Sequence, residues 1–203
     1  MAGGPHFTFT AEESLLENAF LDVVVVGEGE ITMYELVRAF SEGRPLGSVR
    51  GIVFRDSSGR VVKTGERPLI RNLDALPLPA WDMLPMERYR LVAWGKRATM
   101  LVSSRGCPFK CSFCSERIFW RNVWRPHGPR RVVDEMELVA ERYGKDLIWF
   151  GDDTFNLDRR RNVAICKEII ERGLNVAWGI EARADLIARD KDIIGSMKEA
   201  GLF

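Results

Sequence analysis

The chain lacks any long apolar run. Its densest early stretch, Val23 to Val26, falls far short of the roughly 20 residues that a membrane-spanning helix needs. It also lacks an excess of charge. Lys and Arg number 30 against 29 Asp and Glu, a formal net charge of +1, so no bulk field selects nucleic acid or an anionic membrane as partner. Met1 to Thr10 carries no basic stretch leading into an apolar one. No secretory signal is visible in that stretch, and the expected compartment is the cytoplasm, where thiols stay reduced. No low-complexity tract is present, and no repeat beyond a strand–helix period. Cysteine is scarce at four residues and histidine at two. What remains is a globular composition, 46% apolar and 29% charged over 203 residues, enough for one or two domains with a core.

Three of the four cysteines crowd into "RGCPFKCSFCSER", Arg105 to Arg117, as C-x3-C-x2-C: Cys107, Cys111 and Cys114. The surrounding pattern places this loop. "LDVVVVGEGE" predicts a fully buried parallel strand, Asp22 to Val26, running into a Gly-rich turn. "EITMYELVRAFSEG" predicts an amphipathic helix with Ile31, Tyr34, Leu36, Val37 and Phe40 near one face. "GIVFRDSSGRVVKTG" reads as a hairpin about Ser57-Ser58-Gly59, and "RNLDALPLPAWDMLPMERY" as an ordered, Pro-rich linker. Strand–helix alternation returns from Arg97. "TMLVSSRG", "LIWFGDD" and "NVAWGIEAR" are apolar strands, each followed by a helical segment. Three successive βα units predict an α/β fold, the first part of a parallel barrel or an open sheet, with ligands gathered where strands end in loops. The cysteine loop, "GDD" and "EAR" all fall at such ends.

A loop of three thiols can clamp a metal, form a disulfide or do neither; a reducing compartment weakens the disulfide. An all-protein tetrahedral zinc site needs a fourth ligand. Cys166 sits among the apolar residues of a helix and reads as a buried, inert thiol. His127 lies within reach, so zinc stays open. A four-iron cluster on three cysteines is the other solution, leaving one iron for a small molecule. Arg105, Lys110 and Arg117 favour thiolates. Asp152 and Asp153 read either as a loop turn or cap, or as carboxylates for a cationic ligand group. Glu181 and Arg183 alternate to one side of their strand. They form an ion pair, or Arg183 grips a ligand carboxylate; both readings stand. Trp120, Trp124 and Trp178 read as packing before pocket lining.

The cysteine spacing after an initial strand resembles the signature of the radical S-adenosylmethionine (SAM) enzymes. The resemblance implies that Cys107, Cys111 and Cys114 hold a [4Fe-4S] cluster whose open iron takes the amino and carboxylate groups of SAM, which electron transfer cleaves to methionine and a 5′-deoxyadenosyl radical. It implies that Phe113, the aromatic residue before the last cysteine, lies near cluster and adenine. It also implies that Asp153, with Asp152, accepts the methionyl ammonium. A flavodoxin or ferredoxin would supply the electron, and a small molecule would be the substrate.

The segments "GGPH", "VVVVGEGE" and "PLPAWDMLP" resemble the subgroup with a cobalamin-binding domain ahead of the barrel. That likeness implies three parts: residues 1–45 as the C-terminal portion of a Rossmann-like cobalamin domain, 46–95 as hairpin and linker, and 96–203 as the start of the radical SAM barrel. It places Gly3 and Gly4 where a glycine turn admits the cobalamin nucleotide tail. Glu28 and Glu30 read as a plain βα turn, and His6 is not expected to ligate cobalt. His127-Gly128-Pro129 stands where relatives often carry an Arg-Ser-Pro-like run. The chain reads as a fragment, short at both ends. The expected chemistry of the intact protein is methyl transfer or cyclisation on an unactivated carbon. Its alternatives are an iron–sulfur module without turnover and a zinc-stabilised structural domain.

Overall fold

The structure, a computed structural model, describes residues 1–89 and 91–203. The chain forms two compact units, Met1–Arg71 and Asn72–Phe203.

The first unit contains α1 (Pro5–Phe9), α2 (Ala11–Glu17), β1 (Val23–Val25), α3 (Gly29–Ser41), β2 (Ile52–Arg55) and β3 (Val61–Lys63). Its sheet runs β1-β2-β3, antiparallel throughout, with Val24 opposite Val53 and Val53 opposite Lys63. Ala2 adds a parallel bridge to Val24. The β-branched run is buried on both faces because successive side chains point to opposite sides. Val23 and Val25 pack with Leu36 and Ala39 of α3, while Val24 and Val53 pack with Ala11 and Leu15 of α2.

Two expectations change here. Strand β1, expected to be a parallel strand, instead pairs antiparallel with β2 of the hairpin, and Ala2 adds a single parallel bridge to it. Helix α3 also turns a different arc inward than its apolar residues suggest. Thr32, Leu36 and Ala39 are buried, whereas Ile31, Tyr34, Val37 and Phe40 are exposed. Small residues flanking Leu36 let that arc approach the sheet closely, which bulkier neighbours would prevent.

The second unit contains β4 (Val92–Ala93), β5 (Lys96–Leu101), β6 (Ser104–Arg105), α4 (Glu116–Phe119), β7 (Arg125–Pro126), α5 (Pro129–Tyr143), β8 (Leu147–Phe150), α6 (Arg159–Glu171), β9 (Ala177–Ile180), α7 (Ala184–Arg189) and α8 (Ile194–Glu199). Strands β5, β8 and β9 are parallel neighbours, with β4 antiparallel on the outer side of β5. The three expected βα units are present, the last with its helix broken into α7 and α8. Leu101, Ile148, Phe150 and Trp178 face the helices and pack with Val132, Val133, Met136 and Val139 of α5 and with Ile165 and Ile169 of α6. Gly144, in the left-handed conformation at φ 61°, closes α5.

The Pro-rich segment is tied to this unit. Leu73 and Met86 are buried, the Trp81 indole donates to Glu135 Oε1 at 3.1 Å, and Asp74 accepts from the Gly128 N–H at the start of α5. Among the described residues no helix is long and apolar enough to cross a membrane.

Candidate functional site

The C-terminal ends of β5, β8 and β9 converge at one edge of the second unit's sheet. Strand β5 leads through Ser103 and Ser104 into the cysteine loop. The short β6–β7 pair, Ser104 with Pro126, closes that loop at its base. Gly106 makes the sharp entry at φ 82°, and a Cβ there would stand 2.2 Å from the Val123 carbonyl oxygen. Only glycine fits this close approach. Inside the loop, Asn122 Nδ2 donates to the Phe109 carbonyl at 2.9 Å, and the Cys114 N–H donates to the Cys111 carbonyl at 3.2 Å.

Cys107, Cys111 and Cys114 are free thiols, each half-buried. Two of them meet residues from the neighbouring strand ends. Cys107 Sγ is 3.3 Å from Thr154 Oγ1, beyond β8, and Cys111 Sγ is 3.9 Å from Arg183 Nη1, beyond β9. Cys166 is 2% exposed in the core, and burial pushes its thiol up to about 11. It stands apart from the loop as an inert residue.

The two adjacent carboxylates part company. Asp152 was expected to share a ligand ammonium with Asp153, but it is 1% exposed and turned into the protein. It accepts from the Ser103 N–H at 2.6 Å, the Ser103 hydroxyl at 2.7 Å and the Ser104 hydroxyl at 2.5 Å. Behind these serines lies the buried Arg161, which donates to the Ser103 carbonyl at 2.7 Å and the His127 carbonyl at 2.8 Å. Both Asp152 oxygens are engaged with protein donors, so its task is to anchor the end of β5. Asp153 faces outward beside Gly106. Surrounding protein, then the charges of Glu116 and Asp152, push its carboxyl up to about 6, against the Gly106 N–H, which holds it down.

Arg183 also departs from one of its two expected roles. Glu181 is not its partner; that carboxylate accepts from the Trp149 indole at 3.2 Å. Arg183 instead forks onto Asp185, Nε and Nη2 at 3.0 and 3.1 Å, and its guanidinium carbon sits 3.7 Å above the centre of the Phe109 ring. Phe113 is 91% exposed and Trp178 is fully buried in the core, its indole donating to the Ala200 carbonyl. Trp120 lies against Gly106, and Trp124 beside Arg161.

In the first unit Gly4 has a conformational reason to be glycine, at φ 93°. A Cβ on Gly3 would meet Val25 at 3.5 Å, an ordinary contact. The nearby Gly27 N–H donates to Thr8 Oγ1 at 3.0 Å. His6 is exposed and packs edge-on against Phe7. Glu28 is buried and accepts from the Ile70 N–H at 2.7 Å, a long-range tie rather than a contact within its own turn.

The donor chemistry suits an iron–sulfur cluster better than a lone ion. Among the described residues no three His, Cys, Asp or Glu side chains converge on a single metal position. A cubane does not ask for that, since each cysteine binds a different iron. His127, the fourth ligand that zinc would need, has its Nδ1 at 2.8 Å from Asp74 Oδ1. Sequence reasoning missed Thr154 as a neighbour of Cys107, Phe109 and Asp185 as partners of Arg183, and Ser103, Ser104 and Arg161 as the polar network behind the strand ends. One signal was present: Ile148, Phe150 and Asp152 share a parity along their strand, and Trp149, Gly151 and Asp153 share the other.

The family model described as the radical SAM superfamily matches residues 101–203. An uncharacterized methyltransferase of Pyrococcus horikoshii is 40% identical over 98% of this chain and 42% of its own length. An anaerobic magnesium-protoporphyrin IX monomethyl ester cyclase of Rubrivivax gelatinosus is 37% identical over 99% of this chain and 36% of its own. Among solved structures, the cobalamin-dependent SAM radical enzyme OxsB, with aqua-cobalamin and SAM bound, superposes with a TM-score of 0.78 at 22% identity, over 98% of this chain and 29% of that one. TsrM from Kitasatospora setae, a radical SAM methyltransferase with cobalamin and a [4Fe-4S] cluster bound, gives 0.74 at 22% identity, over 98% and 40%. These two likenesses speak for the fold. The chain spans less than half the length of each of these relatives.

Proposed function

The chain belongs to the radical SAM superfamily, and from that premise we propose that it is the part of a cobalamin-dependent radical SAM enzyme that holds the cluster and the methionyl end of SAM. The observation that carries this reading is the meeting of three free, half-buried thiols with the outward carboxylate of Asp153 at one sheet edge. Cys107, Cys111 and Cys114 ligate a [4Fe-4S] cluster, which when bound supplies the electron for reductive cleavage of SAM. Asp153 accepts the methionyl ammonium. A cation placed there favours the ionised carboxylate and offsets the like charges of Glu116 and Asp152. Asp152 sets the position of Asp153 by fixing the strand ends beneath it.

Gly3 and Gly4 form the turn that admits cobalamin, supported by the positive φ of Gly4. The named relatives are methyltransferases and cyclases, and methyl transfer or ring closure on an unactivated carbon of a small molecule is the chemistry assigned to the whole protein. A flavodoxin or ferredoxin is its electron donor.

The test is anaerobic loading with iron and sulfide. Wild type is expected to bind four irons per chain and give a paramagnetic signal on reduction; Cys107→Ala, Cys111→Ala and Cys114→Ala each lose the cluster. Release of 5′-deoxyadenosine from added SAM then separates an enzyme from a binding module without turnover. Uptake of zinc alone, with no iron or sulfide, would sink the proposal.

A further inference from the structure

We propose that Arg183 and Thr154 are donors to the sulfurs of Cys111 and Cys107, and that they raise the reduction potential of a cluster held there. Asp185 and Phe109 position Arg183 for this task. The inference rests on the cluster assignment of the preceding section and goes beyond it.

Arg183 Nη1 stands 3.9 Å from Cys111 Sγ. Two constraints keep it there. The forked pair to Asp185 consumes Nε and Nη2 and leaves Nη1 turned toward the sulfur. The Phe109 ring, 3.7 Å from the guanidinium carbon, supports the plane from one side. Phe109 belongs to the cysteine loop itself, so the loop carries the platform for the cation that approaches its second cysteine.

Thr154 is constrained differently. It is 1% exposed, so water does not compete for its hydroxyl. Two groups are in reach: the Asp153 carbonyl at 2.6 Å and Cys107 Sγ at 3.3 Å. The hydroxyl donates to that carbonyl and can accept from a Cys107 thiol; a thiolate bound to iron would only accept, and would compete with the carbonyl for the hydroxyl's one proton.

One-electron reduction adds negative charge to the cluster and its sulfurs. Donors and a cation beside those sulfurs stabilise the reduced state more than the oxidised one, which raises the potential. Arg183 contributes a full charge and Thr154 a neutral dipole, so Arg183 has the larger effect.

The test is potentiometric titration of the iron-loaded chain in the absence of SAM, followed by electron paramagnetic resonance. Arg183→Met is expected to lower the ratio of reduced to oxidised cluster at the wild-type midpoint by on the order of tenfold, about 59 mV for a one-electron couple. Arg183→Lys falls between Arg183→Met and wild type, since it keeps the charge and loses the fork. Thr154→Val shifts in the same direction by less. An Arg183 that only grips the SAM carboxylate would weaken SAM binding in Arg183→Met and leave the SAM-free potential unmoved, which overturns the inference. So does a loaded Arg183→Lys and Thr154→Val pair with wild-type potentials, even if Arg183→Met fails to load. A wild-type chain that takes up no iron overturns the cluster assignment itself, and this inference with it.

Discussion

The two sides of the sheet edge hold their polar groups in opposite ways. Behind it, Asp152, Ser103, Ser104 and Arg161 are all buried, and the Asp152 oxygens are saturated with donors. In front of it, Asp153 and the three cysteine sulfurs stand half-buried or exposed, with open sides. A buried polar network is unforgiving, because each donor left unpaired loses water and gains nothing. A front of exposed groups is free to meet a ligand and contributes little to folding. The difference separates what builds the edge from what the edge presents, and substitution should expose it.

The largest effect is expected at the hinge between the two sides. Gly106→Ala puts a Cβ where the Val123 carbonyl already stands, at a φ that alanine resists. Loss of cluster uptake is expected, with a fall in stability of roughly 3–5 kcal/mol in urea unfolding. Wild-type iron content in this variant would remove the hinge from the account.

Asp152→Ala comes next. It orphans the Ser103 N–H and two buried hydroxyls and leaves Arg161 without its nearby anion. A cost of roughly 3 kcal/mol is expected. A variant as stable as wild type would show that the back of the edge is not the foundation claimed for it.

Asp153→Asn sharpens the contrast. Because like charges and burial already disfavour its ionised form, stability should stay within about 0.5 kcal/mol of wild type, or rise slightly. Cluster content is unchanged, and SAM affinity measured by calorimetry falls on the order of tenfold. Unchanged affinity would take the ammonium away from Asp153.

The smallest effect is a pH dependence behind the edge. Burial holds His127 below its ordinary value of 6.5 despite the Asp74 carboxylate. As pH falls through 6.5 the unfolded chain takes up a proton that the native chain resists, so stability declines from there toward acid and is fully present above it. His127→Gln should flatten that slope in unfolding curves between pH 7 and 5.5; an identical slope would assign it to other groups.

The cysteine loop was legible because its three donors are neighbours in the chain, and spacing alone brings them to one place. The parallel strands were legible because both their faces are apolar, as in "LIWF". Asp153 as the outward carboxylate follows from the two-residue alternation of β8. Arg161 was not legible. It closes a run of three arginines at the start of α6 that reads as a solvated face, yet it lies 6% exposed while Arg160 is exposed. Asp74 was hidden for another reason: it meets His127 and Gly128 across more than 50 residues of chain.

By itself the sequence determined the α/β grammar, the strand ends at which chemistry gathers and the trio of thiols on one loop, since all of these depend on periodicity and local spacing. Tertiary structure alone decided which arc of α3 meets its sheet, where the first unit ends, and which side chains attend the sulfurs. Those outcomes depend on contacts between segments distant in the chain, where burial and the pairing of polar groups outweigh anything a single stretch of residues prefers on its own.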